Sequence, residues 1–299
     1  MVSIKKKVIE GKEYYYLEHS FREESKVKKK ELYLGTEIPK DIEKIKKDFI
    51  NEINKEKWFG RLDEIKKGFS KEVKSMPKSD WAKELESFMI KFTYDTQRIE
   101  GSKLTLRETA NLLESGITPK EKPLRDSKEA EAHKKVFYEM LAYKKDLSLD
   151  IVLFWHKGLF SNTKPDMAGR IRTHGVAISG SKFTPPTPVE INPLLKDFFD
   201  WYNKNKDKIH PVELAAEVHL KFVTIHPFGD GNGRISRLMM NFVLNKYNFP
   251  LMDILYENRT SYYNALERSQ IKNNDNIFIQ WFIKRYIKEN KKYLSLHGG

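Results

Sequence analysis

Apolar residues recur with a helical period along most of the chain. After Pro39, the residues Ile42, Ile45, Phe49 and Ile53 are spaced three or four apart and would share one helix face. Capping signals and the same spacing predict further helices that begin at Thr105 and that span residues 79–99, 126–143, 149–159, 193–203, 211–225, 234–247, 261–272 and 276–290. The chain is therefore predicted to be mainly α.

The first forty residues follow a different pattern. Residues 13–20 and 30–35 are rich in aromatic and β-prone side chains, and segments 10–12 and 23–25 have turn composition. We predict a small antiparallel β meander over about residues 6–35. Its simplest role is a cap that packs on the main domain. The alternative is a docking surface for a target protein or a nucleic acid.

Shifts in pattern predict the organisation of the whole chain. Residues 169–188 contain Gly175, Gly180 and three prolines, which interrupt the helical period and predict an extended hairpin. The predicted segments are a β meander (1–38), a helical linker or cap (39–78), a group of helices (79–145), a helical core (146–290) and a C-terminal tail (291–299), of which residues 295–299 are expected to fray.

Composition limits the classes of function. Lys and Arg number 55 against 42 Asp and Glu, a formal net charge of +13. Lys and Glu are interspersed, as is typical of solvated helix faces, so the charge only leaves a nucleic-acid partner open. The absence of cysteine excludes disulfides, thiolate metal sites and cysteine nucleophiles. No apolar run suits a membrane span or a signal peptide, so we expect a cytoplasmic protein without a membrane partner.

Residues 226–237 combine several kinds of chemistry in the sequence His-Pro-Phe-Gly-Asp-Gly-Asn-Gly-Arg-Ile-Ser-Arg. His226 suits proton transfer near neutral pH, and Asp230 suits Mg²⁺, which usually binds together with phosphates. The backbone around Gly231, Asn232 and Gly233 is expected to bind anions, helped by a helix that begins nearby. Arg234 and Arg237 are three residues apart and are expected to fork around phosphate oxygens. The segment therefore predicts a nucleotide-triphosphate site beside a general base.

The same residues resemble the signature of the Fic family, His-x-Phe-x-Asp-Gly-Asn-Gly-Arg-x-x-Arg, at every specified position. The resemblance covers about residues 81–286. It implies a Fic-type helical bundle with a β-hairpin flap, here with a small N-terminal β meander. It also implies transfer of AMP from ATP to a hydroxyl side chain of a target protein, with His226 as the base and Mg²⁺ at Asp230.

A second segment resembles the inhibitory pattern of the same family, [Ser/Thr]-x-x-x-Glu-[Gly/Asn]. It has the sequence Thr96-Gln-Arg-Ile-Glu100-Gly101, at the end of a helix predicted over about residues 81–101. The resemblance implies that Glu100 pairs with Arg237. A guanidinium held by a carboxylate cannot offer both of its forks to a phosphate, so ATP would bind with its α-phosphate badly placed.

The resemblance assigns two further parts of the site. Val176, Ala177 and Ile178 are similar to the Fic flap, which holds the target segment by strand addition. Tyr263 corresponds to a residue that closes over the adenine. Gln270 stands where some relatives have Asn, which is a departure from the pattern.

Several alternatives remain open from the sequence. The same residues would also serve removal of AMP from a modified protein, with Glu100 positioning a water molecule. In a third interpretation the Fic core is vestigial and the chain regulates by binding nucleic acid or protein. Target identity is not encoded in these motifs, and labelling of the chain itself or a homodimer is compatible with them.

Overall fold

The computed structural model describes residues 2–23 and 26–294 and divides the chain into two compact units, Met1–Asp63 and Glu64–Gly299. The division lies inside the first helix rather than at the end of the predicted sheet. The second predicted turn (24–25) and the predicted fraying of residues 295–299 lie outside the described residues.

The first unit begins with an antiparallel sheet in the order β1-β2-β3. Its strands are Val2–Ile9 (β1), Lys12–Glu23 (β2) and Lys26–Gly35 (β3). Glu10 and Gly11 join β1 to β2 with φ values of 50° and 77°. Two successive positive φ angles define the type I′ turn, whose twist matches that of paired strands. The predicted three-stranded meander is therefore confirmed.

One face of this sheet is buried within the first unit. Leu17 on β2 packs with Phe49 and Ile53 from helix α1 (Ile42–Ser75), and these three side chains are at most 4% exposed. Val2 and Ile4 pack around them. The apolar stripe predicted on the first helix thus meets the apolar face of the sheet, which is the usual way for a small α/β unit to bury both.

The second unit is helical. After the end of α1 it contains α2 (Lys78–Ile99), α3 (Leu106–Ser115), α4 (Leu124–Ala142), α5 (Leu149–Phe160), α6 (Pro188–Asn205), α7 (Pro211–Ile225), α8 (Asn232–Lys246), α9 (Arg259–Lys272) and α10 (Asn276–Glu289). Short 3-10 turns occur at Tyr256–Asn258 and Lys291–Tyr293. The mainly α fold class is confirmed, and no helix within the described residues is long and apolar enough to cross a membrane.

Helices α7 and α8 form the centre of this unit. Most of their side chains are buried, including Leu214, Val218, Ile235 and Leu238, none of which has measurable exposure. A helix buried on most sides contributes stability chiefly through packing rather than intrinsic propensity. The loop between α7 and α8 therefore connects two helices that are buried on most sides.

Two predicted elements differ from the structure. Residues 169–188 form no β ladder within the described chain. Their arms are extended, and the bend at Ser179-Gly180 is closed by a backbone hydrogen bond from Ser181 to Ile178 of 3.1 Å. Prolines on one arm remove the N–H donors that a ladder needs. Helix α6 begins at Pro188 rather than near Pro193, because Thr187 and Glu190 form a capping box ahead of the first turn.

Candidate active site

The loop between α7 and α8 begins at a left-handed residue. His226 ends α7 with φ 53° and ψ 55°, and its N–H donates to Phe222 at 3.2 Å. A left-handed residue reverses the direction of the chain, and glycine is the usual occupant of such a position. Gly231 has φ 84° directly before α8. These two conformations fold residues 226–231 into a compact turn, with the imidazole at one end and the start of a helix at the other.

Asn232 closes this loop with its side chain. Its Oδ1 accepts the Phe228 N–H at 2.9 Å, and its Nδ2 donates to the Phe228 carbonyl at 2.8 Å. Asn232 is 2% exposed. Its side-chain amide is thus engaged within the loop through both its oxygen and its nitrogen.

His156 supports the loop from below. Its Nδ1 accepts the Gly169 N–H at 2.9 Å, so its Nε2 bears the proton and donates to the Asp230 carbonyl at 3.0 Å. Its ring stacks on Phe228 with centroids 3.8 Å apart. Burial lowers the pKa of His156 to about 4, so the ring stays neutral. In the sequence His156 is an isolated histidine, and no motif indicates this role.

The first turn of α8 presents its backbone N–H groups to the pocket. No side chain caps this helix end, and the first amides of a helix have no intrahelical acceptor. A Cβ added to Gly233 would collide with Glu100 Oε1 and lie 3.0 Å from Arg237 Nη1. The carboxylate of Glu100 therefore lies directly against Gly233, at the helix end where an anion is most stabilised.

Arg237 and Glu100 form the contact that the family pattern implied. Arg237 Nη2 donates to Glu100 Oε1 at 2.6 Å, and Arg237 Nε donates to Thr96 Oγ1 at the same distance. Arg237 is 1% exposed, whereas the Glu100 side chain is 25% exposed. Nη1 donates to Tyr262 at 3.3 Å. The guanidinium is thus fully enclosed. Among its described side-chain partners, Glu100 is the one that reaches solvent.

Arg234 has a different environment from the predicted one. Its guanidinium contacts Glu129 on α4, Asp230 Oδ1 at 3.1 Å and Gln97 Oε1 at 3.2 Å, and it is 3% exposed. It also lies 4.5 Å from the ring centroid of Phe160. Both arginines are engaged by protein groups in this structure, and their fork around phosphate oxygens stays a prediction. Glu129 is a buried acid on a separate helix, and no sequence motif indicated that it would contact Arg234.

Asp230 lies at the edge of this ion-pair cluster. Its carboxylate contacts Lys164 and Arg234, and Oδ1 accepts the Gly231 N–H at 2.5 Å. Burial would raise the pKa of Asp230, but Arg234 and Lys164 outweigh burial and hold that pKa below its ordinary value. Asp230 is therefore an anionic ligand whose side chain is still 34% exposed. Lys164 was not anticipated from the sequence.

A magnesium ion is compatible with these groups. Within residues 2–23 and 26–294 no cluster of three or more His, Asp or Glu side chains is arranged to hold a metal ion. Mg²⁺ in nucleotide sites typically uses one or two carboxylates plus phosphates. The ionised, partly exposed Asp230 fits that requirement once Lys164 has moved away from its carboxylate.

His226 is arranged as a neutral base. Its Nδ1 lies 3.2 Å from the Val223 carbonyl, which fixes the proton on that nitrogen and leaves Nε2 free to accept one. Burial lowers the pKa of His226, and Arg172 acts in the same direction. The imidazole lines the pocket together with Glu100 and Arg237. The geometry thus suits removal of a proton from an incoming group.

Arg172 joins the flap to the loop. It is 4% exposed, and its guanidinium donates to the carbonyls of His226 (2.8 Å), His174 (2.8 Å) and Pro186 (2.6 Å). Its own N–H donates to the Pro227 carbonyl at 3.0 Å. Arg172 therefore fixes both flap arms against the residue that bears the imidazole, which is a structural role.

The tip of the flap is held against α9. Glu267 Oε1 accepts the Ser181 hydroxyl at 3.1 Å and the Lys182 N–H at 2.5 Å. Of the predicted target-binding residues, Ile178 lines the pocket. Val176 is half-buried and Ala177 is exposed, so the side chains alternate as in an extended segment. Glu267 is a contact that sequence reasoning missed.

The pocket itself has a volume of about 260 Å³ and lies between the flap, α8 and α9. Ligand sites of proteins typically measure about 300–1,000 Å³, so the space beside Glu100 is small for a nucleotide. Tyr263 lines it, is 44% exposed and donates to the Ile99 carbonyl at 3.2 Å. Gln270 also lines it and donates to Thr224 at 3.1 Å. A larger cavity of about 990 Å³ opens beside Trp81 and contains none of the motif residues.

Comparison with known proteins relates this site to a family of proteins. Residues 146–244 match the model of the Fic/DOC family. The chain is 37% identical over 181 residues to protein adenylyltransferase fic-1 of Caenorhabditis elegans, covering 58% of this chain and 35% of that protein. It is 33% identical over 181 residues to protein adenylyltransferase Fic of Nematostella vectensis, covering 59% and 42%. The chain thus spans well under half the length of these curated relatives.

Solved structures agree with the same assignment. A Fic domain-containing signaling protein from Bacteroides thetaiotaomicron superposes with a TM-score of 0.71 at 25% identity, covering 78% of this chain and 95% of that one. Residues 134–508 of C. elegans Fic-1 superpose with a TM-score of 0.69 at 28% identity, covering 82% and 72%. Residues 146–244 of this chain therefore form a Fic domain, as the motif indicated.

Proposed function

We propose that this protein is an adenylyltransferase that moves AMP from ATP to a Ser, Thr or Tyr hydroxyl of a protein and that Glu100 restrains it. The observation that bears most on this is the 2.6 Å contact between Glu100 and Arg237, in the pocket that His226 also lines. Base, anion-binding helix end and restraining carboxylate lie together there. The names of the relatives in the comparison support the same activity.

The chemistry follows from these groups. His226 Nε2 takes the proton of the target hydroxyl as the hydroxyl oxygen bonds to the α-phosphorus. The bond from that phosphorus to its bridging oxygen breaks, and pyrophosphate leaves. The N–H groups at the start of α8, including those of Asn232 and Gly233, stabilise the charge that develops on the phosphate oxygens. Arg237 anchors the terminal phosphates.

Arg234 has a supporting part in this scheme. Because its guanidinium is engaged by Glu129 and Asp230, it orients the Asp230 carboxylate rather than gripping phosphate in the observed state. Mg²⁺, held by Asp230 and phosphate oxygens, would supply charge neutralisation there. In this proposal Tyr263 packs on the adenine, and residues 176–178 of the flap pair with the target backbone.

The restraint is electrostatic. The Glu100 carboxylate lies at the end of α8 where a phosphate would lie, and it occupies one fork of Arg237. A triphosphate brought to this site meets a like charge and an engaged guanidinium, so its terminal phosphates cannot reach their productive position. Release of Glu100 is therefore the step that turns transfer on.

The experiment compares ATP labelled at the α- and the γ-phosphate. With Glu100→Gly protein and Mg²⁺, label from the α-position should become protein-bound and label from the γ-position should not. His226→Ala in the same background should abolish incorporation. Protein-bound γ-label would instead show phosphate transfer, and α-label that survives His226→Ala would remove the base assignment.

Removal of AMP is the second reaction that we propose for this pocket, because Glu100 reaches solvent while touching Arg237 and could therefore orient a water molecule. The test uses a target that has already been modified. Release of AMP that depends on Glu100 would favour removal, whereas release that increases in Glu100→Gly would contradict it.

A further inference from the structure

Behind Arg237 lies a buried chain of hydrogen bonds that the proposed chemistry does not use. Arg237 Nη1 donates to the Tyr262 hydroxyl at 3.3 Å, and that hydroxyl lies 2.9 Å from His219 Nε2. All three side chains are at most 1% exposed. The chain links α8, α9 and α7 on the side of the guanidinium away from solvent.

The direction of this chain follows from its chemistry. A guanidinium can only donate, so the Tyr262 oxygen accepts from Arg237, which leaves the phenolic proton available to His219 Nε2 at 2.9 Å. In this arrangement Nε2 is the unprotonated nitrogen of His219. Burial lowers the pKa of His219 well below its ordinary value, with Arg237 acting in the same direction, so the ring is neutral. His219 stacks on Phe278 with centroids 5.1 Å apart, which fixes its orientation.

The other described partners of the Arg237 guanidinium, Thr96 and Glu100, both belong to the inhibitory helix. Thr96 lies on α2, which ends at Ile99, and Glu100 caps that helix. A movement of the end of α2 that withdraws Glu100 therefore also disturbs the contacts of Thr96, which accepts from Arg237 Nε at 2.6 Å. Tyr262 lies on α9 and His219 on α7. Among the described contacts of the guanidinium, the one with Tyr262 is the hydrogen bond independent of the inhibitory helix.

We infer that Tyr262, oriented by His219, is a positioning residue that keeps the Arg237 guanidinium aimed at the terminal phosphate after Glu100 has withdrawn. The inference rests on the proposed function and deepens it. An arginine with a fixed orientation loses little entropy when it binds phosphate, whereas a freed arginine would have to be ordered again at each binding event. Tyr262 and His219 thus preserve the productive geometry through the change that activates the site.

The experiment measures the dissociation constants of ATP and ADP by calorimetry in the Glu100→Gly background. Comparing the two nucleotides isolates the contact of Arg237 with the terminal phosphate from the rest of the site. Tyr262→Phe should reduce the preference for ATP over ADP by about three- to tenfold, the effect of one hydrogen bond, and leave ADP binding unchanged. A merely structural role would weaken both nucleotides together.

Variants at His219 and Tyr286 complete the test. His219→Gln keeps an acceptor near the Nε2 position and should retain the preference for ATP, whereas His219→Leu should lose it. Tyr286→Phe removes another fully buried hydroxyl, one that donates to the Pro250 carbonyl at 2.8 Å, and should leave the preference intact.

The outcomes distinguish failure of this inference from failure of the proposed function. If Glu100→Gly protein binds ATP and incorporates label but Tyr262→Phe retains its preference for ATP, the inference alone is overturned. An equal loss in Tyr286→Phe would likewise overturn it. If Glu100→Gly protein neither binds ATP nor incorporates label, the proposed function fails and the inference fails with it.

Discussion

Glu100 and Arg237 are 137 positions apart in the sequence, yet their carboxylate and guanidinium lie 2.6 Å apart. The arginine is fully enclosed, while the glutamate keeps a quarter of its side chain exposed. This asymmetry means that the glutamate can leave without uncovering a large buried surface, whereas the arginine cannot. The mobile partner of the pair is therefore Glu100.

Removal of Glu129 should destabilise the protein more than it changes nucleotide binding. Glu129→Gln leaves Arg234 buried without its main counter-charge, and breaking a buried pair in this way typically costs about 3–5 kcal/mol. Urea denaturation should show this loss. Glu139→Gln on the same helix is the control, since Glu139 forms a partly exposed pair with Lys135 at 4.0 Å and should lose at most about 0.5 kcal/mol. Equal losses in the two variants would contradict the burial argument.

As the pH is lowered, activity should be lost only below the pH at which a histidine side chain ordinarily gains its proton. His226 acts in its neutral form, and burial with Arg172 lowers its pKa from 6.5, so activity should be lost only as the pH falls through that lower pKa. Glu100 raises the pKa of His226, and its removal should therefore move the limb further down. The check is the pH profile of kcat/KM for labelling by Glu100→Gly protein. An acid limb above pH 6.5 would argue against this assignment.

A buried acid pair predicts a loss of stability as the pH rises above 3.8. Asp253 has both oxygens shielded from solvent, and burial together with neighbouring Asp95 raises its pKa well above 3.8. The folded state therefore holds a proton that the unfolded state releases, and stability falls as the pH rises from about 3.8 through the raised pKa. Asp253→Asn should remove this fall and gain stability relative to wild type as the pH rises.

A control with the opposite sign is available for the acid pair. Lys206 and Lys246 lower the pKa of Asp146, so its contribution is present above 3.8 and is lost on acidification. Asp146→Asn should therefore lose stability near neutral pH, where Asp253→Asn gains it. Thermal melts over a pH series measure both, and parallel profiles for wild type and Asp253→Asn would refute the assignment.

Lys164 should compete with a divalent cation for Asp230. Its ammonium contacts the carboxylate that the proposed metal site uses. Replacing it by Met removes the competing charge, so the half-saturating Mg²⁺ concentration should fall several-fold, as expected for a contact of about 1 kcal/mol in a partly exposed site. Titrations of Mg²⁺ at fixed ADP, followed by calorimetry, measure the change. Lys157→Met, an exposed lysine on α5, is the control, and an unchanged or higher Mg²⁺ requirement in Lys164→Met would contradict the prediction.

Local patterns predicted most of the fold correctly. Helix α7 begins and ends where its proline and its apolar stripe indicated, and the β meander follows from its turn signals. The flap and the start of α6 were wrong in detail. In the flap, prolines prevent the predicted ladder, and at α6 a capping box competes with a more conspicuous proline.

The candidate site was predictable only where the motif is contiguous. His226, Gly233 and Arg237 come together with Glu100, as the two patterns implied. The remaining contacts come from other helices and loops and involve Glu129, Lys164, Glu267 and Tyr262. In the sequence, the three charged residues among them look like those of any solvated helix face. Long-range packing decides which of those charges is buried, and a single sequence does not encode that as a local pattern.

The restraint by Glu100 can be measured as the rate of AMP incorporation in Glu100→Gly protein relative to wild type. Both proteins are incubated with saturating α-labelled ATP and Mg²⁺, and initial rates of protein-bound label are compared. Loss of a charged hydrogen bond to Arg237 predicts a rate in the variant that is higher by about tenfold or more. Equal rates in the two proteins, or a slower variant, would contradict the claim that Glu100 holds this site inactive.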